Sequence, residues 1–245
     1  MSEQQPPTEG AARAWERVLV RLEEMLVSGE VLPGQRLPGE RVLAADLGVG
    51  RSSVRETLRV MEALGLLKVQ TGSGPNAGAM IVARPTGGIT LLMRMQVAAQ
   101  GFPVPDVVET RLVLEAEVMR TLATAQPPPD LSRAVELLDA MDAPTLIAEE
   151  FLVLDAQFHV SLADAAGNKV TAAMMAGLRA SIENYVLEGM PVQTWPTTCS
   201  RLRHEHRAIV TAVVDGNAEL ACARIDDHIR GYYAETLLFG RNATR

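Results

Sequence analysis

The stretch ERVLAADLGVGRSSVRETLRVMEALGLL, residues 40–67, constrains the fold of this chain more than any other. Its apolar residues recur at helical spacing on both sides of Gly48-Val49-Gly50, and Val54, Leu58, Met61 and Leu64 form one face of the second segment. Two helices joined by so short a glycine turn read as a helix-turn-helix. The second helix is expected from Ser52 to Leu64, closed by Gly65. LLKVQ then predicts a strand, TGSGPNAG a tip and AMIVA a returning strand, which together make a wing. Upstream, Trp15, Val18, Leu19, Leu22, Met25 and Leu26 recur at helical spacing in a segment from Ala11 to Ser28-Gly29, and LPGQRLPGE links it to the pair.

Residues 11–85 are therefore expected to form a winged helix-turn-helix domain, after a polar, Pro-containing lead over residues 1–10 that predicts disorder. ARPTGGI reads as a linker, and residues 86–103 as linker plus a connecting helix. Beyond them, helical segments are expected over Val104–Ala125, Leu131–Met141, Thr145–Ala166, Val170–Leu187, Thr197–Asp215 and Ala218–Phe239. The breaks fall at GFPVP, QPPPD, AGNK, EGMPVQTWP and DGN. The predicted fold class is mostly α: a winged helix-turn-helix followed by an all-helical bundle over residues 104–240. Composition agrees, since 47% of residues are hydrophobic and only 4% aromatic, with Ala, Val, Leu and Met prominent. Cys199 and Cys222 lack metal-type spacing, and no apolar run is long enough for a bilayer. A cytoplasmic protein with no membrane partner is the expectation.

The formal charge of −7 is unevenly spread. Ten Lys and Arg balance ten Asp and Glu up to Pro85, whereas thirteen basic residues face twenty acidic ones from Thr86 onward. The acidity thus belongs to the helical part, and the first part can concentrate Arg51, Arg55 and Arg59 on one helical stripe. A solvated face would look the same, with Glu56 and Glu62 as partners. Position adds information: Arg51, Ser52 and Ser53 open the second helix, where free backbone N–H groups suit phosphate and base-edge contacts. The glycine-rich tip is no phosphate-binding loop, because no Lys follows it and a strand comes next.

LPGQRLPGERVLAADLGVGRSSVRETLRVMEALGLLKVQTGSG, residues 32–74, resembles the winged helix of the GntR family of bacterial transcription regulators. By that resemblance Arg41, Arg51 and Arg55 correspond to DNA-contacting arginines, Ser52 and Ser53 to helix-start positions near the backbone, and Gly72 to a wing tip that reaches the minor groove. The partner implied is double-stranded operator DNA, bound by a homodimer. Gly50 stands where a Ser or Thr is usual, Ser53 where Pro is frequent, and the wing tip is longer than the common form. Arg59, two turns into the helix, keeps the reading of a backbone- or solvent-facing charge.

In EEFLVLDAQFHVSLADAAGN, Asp155 and His159 stand four apart and point inward from an apolar face with Phe151, Leu152, Phe158 and Leu162. His206 shares a face with Leu202, Ile209, Val210 and Val213, and His228 lies near Ile225 and Tyr232. His204 points the opposite way and is expected to be exposed. One reading is an Asp–His salt bridge with two hydrogen-bonded core histidines. The other is a metal held by Asp155, His159, His206 and His228, for which Zn, Ni, Mn and Fe all suit the donor set.

DAQFHVSLADAAGN and HEHRAIVTAVVDGNAELACARIDDHI resemble the two signatures of the FCD effector domain of the FadR subfamily. The resemblance implies that these four residues are the metal ligands, with Zn or Ni foremost. TRLVLEAEVMRTLATA is similar to a helix of that family whose Arg faces the ligand, which makes Arg111 the effector-carboxylate candidate; a salt bridge to Glu115 is the alternative. Asn168 is expected to cap the next helix. The function expected is a repressor whose operator affinity is set by a small carboxylate or sugar acid at the metal. The rival is a metal-dependent hydrolase or lyase with an accessory DNA-binding segment, against which no spare Glu or His accompanies the four ligands as a base. A metal-free sensor whose histidines bind the acid directly is a third reading.

Overall fold

Residues 9–70, 78–82, 85–189 and 195–240 are described by the computed structural model, in which Met1–Gly88 and Ile89–Arg245 form two compact units. The first unit assembles around α3 (Arg51–Ala63), which buries Val54, Leu58 and Met61 against Val18, Leu22 and Met25 of α1 (Glu9–Val27) and Leu43 and Ala44 of α2 (Glu40–Leu47). Gly48 ends α2 in the left-handed conformation at φ 60°, and its successor Val49 donates back to the Ala44 carbonyl at 3.0 Å. An L side chain resists that φ, so glycine sets the angle at which α3 departs. Arg17 of α1 donates to the Leu47 carbonyl, satisfying another group at the end of α2.

β1 (Leu67–Gln70) and β2 (Gly78–Ile81) pair antiparallel, with Leu67 opposite Ile81 and Gln70 opposite Gly78. The LPGQRLPGE segment, expected as a simple link, also joins this ribbon. Arg36 bridges Met80, and Leu37 donates to the Ala79 carbonyl at 2.8 Å. Period-2 patterning is too short there to announce a strand. The lead over residues 1–8, the wing tip over 71–77, which contains Gly72, linker residues 83–84 and break residues 190–194 lie outside the described residues.

The expected linker is the clearest departure. α4 (Pro85–Ala98) already begins at Pro85, a residue well suited to a first helical position, so PTGGI is helical. Gly88 is required there by close approach rather than by φ: a Cβ would stand 2.5 Å from the Leu64 carbonyl oxygen.

The second unit contains α5 (Val104–Thr124), α6 (Ser132–Met141), α7 (Ala148–Ala165), α8 (Lys169–Gly189), α9 (Trp195–Val214) and α10 (Ala218–Gly240). α5 packs on α10, α7 lies between α6 and α8, and α9 runs against α10. α7 starts later than expected, where Glu150 accepts a hydrogen bond from the Ile147 amide. Asn168 caps α8 as expected, its side-chain oxygen accepting from the amides of Val170 and Thr171 at 3.0 and 3.2 Å. Phe151, Phe158, Leu162, Met175, Leu178, Leu202 and Ile209 are almost fully buried in this core. No helix among the described residues is long and apolar enough to cross a membrane.

Leu22 is 1% exposed while Val20, two residues away, is 53% exposed. Leu22→Ala is expected to destabilise the protein by about 2–5 kcal/mol, and Val20→Ala by no more than about 0.5 kcal/mol. Urea unfolding curves of the two variants check the contrast.

Candidate functional site

Asp155, His159, His206 and His228 converge. All four are buried, and one ligand-competent atom of each lies within 4.8 Å of the others. α7 supplies Asp155 and His159 one turn apart on its core-facing side, α9 supplies His206 and α10 supplies His228. The His206 Nε2 is 3.0 Å from Asp155 Oδ1 and 3.3 Å from the His228 Nε2, and the His159 Nε2 is 3.8 Å from Asp155 Oδ1. His204 is exposed, as its place on the opposite face of α9 predicts.

Two carboxylates orient the rings from behind. His159 Nδ1 meets Glu115 of α5, and His228 Nδ1 lies 2.8 Å from Glu205 of α9. With Nδ1–H donated outward, Nε2 keeps a lone pair facing the centre of the cluster. Burial, reinforced by neighbouring His159 and Arg179, keeps His206 well below the usual histidine range; burial, with His206 and His159, does the same for His228. Both rings are therefore neutral near pH 7, the form that binds a cation. His159 Nε2 faces this centre with no hydrogen-bond partner among the described residues. Together with the ligand atoms of Asp155, His206 and His228 beside it, this unpartnered nitrogen completes a donor set that suits a divalent cation.

Beside the cluster lies a cavity of about 30 Å³ lined by Arg111, Asp155, Arg179, Tyr232 and Tyr233, among others. Arg111 forms the salt bridge to Glu115 that was the alternative to an effector contact. Its Nε and Nη2 donate to Glu115 Oε1 at 3.0 and 2.7 Å, its Nη1 donates to the Tyr233 hydroxyl at 3.0 Å, and it still walls the cavity. Burial opposes the charge of Glu115, but His159 and Arg111 hold its carboxyl well below the usual range. Arg179 donates to Asp155 Oδ2. Burial, and then the like charge of Arg111, draw its guanidinium down to about 10, so it remains a cation at neutral pH.

Glu115 and Glu205 are carboxylates beside the four residues that the sequence did not place at the site. Glu115 was legible only as the i+4 partner of Arg111. Glu205 adjoins His206 in sequence yet serves His228 on another helix, a relation that spacing along α9 does not contain. Arg179 left a weak trace, as the single charge within AAMMAGLRASI.

In the first unit, Arg41, Arg51, Ser52, Arg55 and Arg59 are exposed and Ser53 is half-buried. Arg55 Nε donates to Glu40 Oε2 at 3.1 Å, and Arg55 and Arg59 line a cleft between α3 and the hairpin. The N-cap Gly50 makes no side-chain bond, which leaves the first-turn amides of α3 to an external acceptor such as a phosphate oxygen. Gly72 lies outside the described residues.

Residues 106–231, more than half of the chain, match the FCD domain, and residues 15–75 match the family of bacterial regulatory proteins, gntR family. The chain is 28% identical over 225 residues to the HTH-type transcriptional regulator LutR of Bacillus subtilis (strain 168), covering 87% of this chain and 100% of that protein. It is 25% identical over 230 residues to the HTH-type transcriptional repressor NanR of Cronobacter sakazakii (strain ATCC BAA-894), covering 89% and 84%. The Glc operon transcriptional activator of Escherichia coli (strain K12) is 25% identical over 221 residues, covering 88% and 85%. Among solved structures, Streptococcus agalactiae GntR superposes with a TM-score of 0.61 at 26% identity, covering 88% of this chain and 97% of that one.

Orientation of His228 by Glu205 has a measurable consequence. Glu205→Gln is expected to weaken zinc binding by about 10- to 100-fold without unfolding the bundle. Competition against a chromophoric chelator, alongside circular dichroism, checks it.

Proposed function

Because the chain belongs to the gntR family of bacterial regulatory proteins and carries an FCD domain, it is a DNA-binding transcription regulator, and we propose that it represses from an operator it leaves when a small organic acid binds at its histidine cluster. The observation that carries the effector half is the convergence of three buried imidazoles and a carboxylate at one point of the helical core. Burying such a set without a ligand is costly. Zinc or nickel, with manganese or iron as alternatives, would supply a Lewis-acidic centre for a carboxylate oxygen. Asp155, His159, His206 and His228 would hold it, Glu115 and Glu205 keep the rings turned inward, and Arg111 adds positive potential in the cavity wall.

The same contacts weigh against hydrolytic or lyase chemistry. Glu115 is already bonded to Arg111 and His159, and Glu205 to Arg201 and His228. A general base needs a free lone pair toward its substrate, and both carboxylates are committed.

On DNA, α3 enters the major groove with Arg51 and Arg55 toward base edges, Arg41 toward the adjoining backbone, and the amides and hydroxyls of Ser52 and Ser53 on phosphate. A homodimer places two such helices on a near-palindromic operator. The acid lowers operator affinity to the extent that it binds the operator-free arrangement more tightly.

A site selected from random DNA by the zinc-loaded chain provides the substrate for testing this. Arg51→Ala and Arg55→Ala are each expected to cost about 1–3 kcal/mol on that site and to relax preference at defined base pairs. Equal loss on random DNA would make them phosphate contacts instead. Asp155→Ala is expected to keep operator binding in a gel-shift assay and to lose release by acids, including those that release the unaltered protein.

A further inference from the structure

Glu40 and Arg55 join the start of α2 to the arginine stripe of α3. Arg55 Nε donates to Glu40 Oε2 at 3.1 Å. Of Arg51, Arg55 and Arg59 on that stripe, Arg55 alone has an ion-pair partner among the described residues. Glu40 is also the only acid among the described residues lining the cleft of about 620 Å³ between α3 and the hairpin, where Arg55 and Arg59 are the cations. The Arg55 and Glu40 side chains are 55% and 36% exposed, and a pair so open to water adds little to stability. Its consequence lies in where it puts the guanidinium group.

Both ends of the pair stand on anchored backbone. Glu40 is the first residue of α2, which buried Leu43 and Ala44 fix to the core, and the amides of Val42 and Leu43 donate to the Gly39 carbonyl at 2.8 and 3.1 Å. Arg55 follows buried Val54 on α3 and precedes buried Thr57 and Leu58. A carboxylate at a fixed place removes rotamers that a free arginine would have to give up on binding. It also chooses the edge. A guanidinium offers two parallel N–H groups either from Nε and one terminal nitrogen or from its two terminal nitrogens. With Nε given to Glu40, the edge left is Nη1 and Nη2, which matches the paired acceptors O6 and N7 of a guanine. A phosphate oxygen demands no such orientation, and the charge of Glu40 repels it.

We propose that Glu40 is a positioning residue for base reading: it holds Arg55 end-on for a guanine and, by its own charge, makes the same arginine a weak phosphate contact. This rests on the reading of Arg55 as a base contact above and names the base it reads and the residue that enforces the choice. Specificity is a difference of two affinities, and Glu40 acts on both. On the right base pair, less side-chain freedom is lost when Arg55 docks. On any other sequence, a carboxylate stands beside the backbone with no gain to offset its repulsion. Arg59 lines the same cleft without such a partner, so it remains a charge for the backbone or solvent.

The test uses the zinc-loaded full chain, the site it selects from random DNA, that site with each base pair replaced in turn, and random duplex of equal length. Arg55→Ala locates the base pair that Arg55 reads, expected to be G·C, by a fall in preference there of about 5- to 150-fold. Glu40→Gln is expected to lower preference at that same base pair at least about fivefold and to leave the other positions unchanged. It is also expected to bind random DNA more tightly, with log affinity falling more steeply against log salt by about 0.9. In an Arg55→Ala background, Glu40→Gln is expected to change no base preference. Full preference retained by Glu40→Gln, where Arg55→Ala has lost it, would overturn the proposal and leave Arg55 a base contact. Equal tightening on selected and random DNA would reduce Glu40 to a charge and overturn its positioning role. A preference changed by Glu40→Gln in the Arg55→Ala background would make Glu40 itself the acceptor for a cytosine amine, which also overturns it. A lowered melting temperature with equal loss on both DNAs would make the pair structural and overturn it as well. Equal loss by Arg55→Ala on selected and random DNA would remove the base reading of Arg55, and the proposal with it.

Discussion

The burial of charge in the second unit is the constraint on which the rest depends. α5 brings Arg111 and Glu115, α7 Asp155 and His159, α8 Arg179, α9 His206 and α10 His228 into a core otherwise filled by Phe151, Phe158, Leu162, Met175 and Ile209. None of these groups tolerates burial alone, and each is answered by a group on another helix or one turn away. Glu115 shows the principle most directly. It accepts from Arg111 on its own helix and meets His159 on α7, so one carboxylate fixes both the α5–α7 contact and the tautomer of a histidine. Removing one partner leaves a buried charge uncompensated, which costs more than the pair itself contributes. The helices are consequently held in the one arrangement that lets these groups meet.

The first unit works by a different economy. Its core is apolar apart from Thr57, built from Val18, Leu22, Met25, Val54 and Leu58, and among the described residues its charged side chains are not buried. What matters there is backbone direction. Gly48 at φ 60° and Gly65 at φ 74° end α2 and α3, and between them α3 is left with an uncapped first turn beneath exposed Arg51 and Ser52. An external anion meets backbone amides and guanidinium groups together at that turn. The acidic surplus of the chain lies after Thr86 and does not oppose this face in composition.

How far sequence reasoning reached depended on the range of the interaction involved. Asp155 and His159 were legible because i,i+4 spacing puts both on one face of one helix, and His206 and His228 because each sits on an apolar stripe. Glu115 was visible as the i+4 partner of Arg111, but not as a partner of His159, since 44 residues separate them. Glu205 and Arg179 were not legible as members of the site. Glu205 points toward His228 across a helix–helix contact, and Arg179 reaches Asp155 from α8. The conformation of PTGGI escaped for a related reason: it looks like a break when only Pro and Gly are weighed, and it is helical. Its second glycine is needed because Leu64 passes close by, a contact invisible along the chain.

By itself, then, the amino-acid order determined the local elements, the glycine punctuation that makes a helix-turn-helix, the segregation of charge and the four residues able to bind a cation. These follow from periodicity and from short-range sterics, which act between residues a few positions apart. Tertiary structure alone decided which carboxylate orients which histidine, and that Arg179 of α8 is bonded to Asp155 of α7. Those facts depend on the relative placement of α5, α7, α8, α9 and α10, and helix packing is settled by the whole core at once, not by any segment within it.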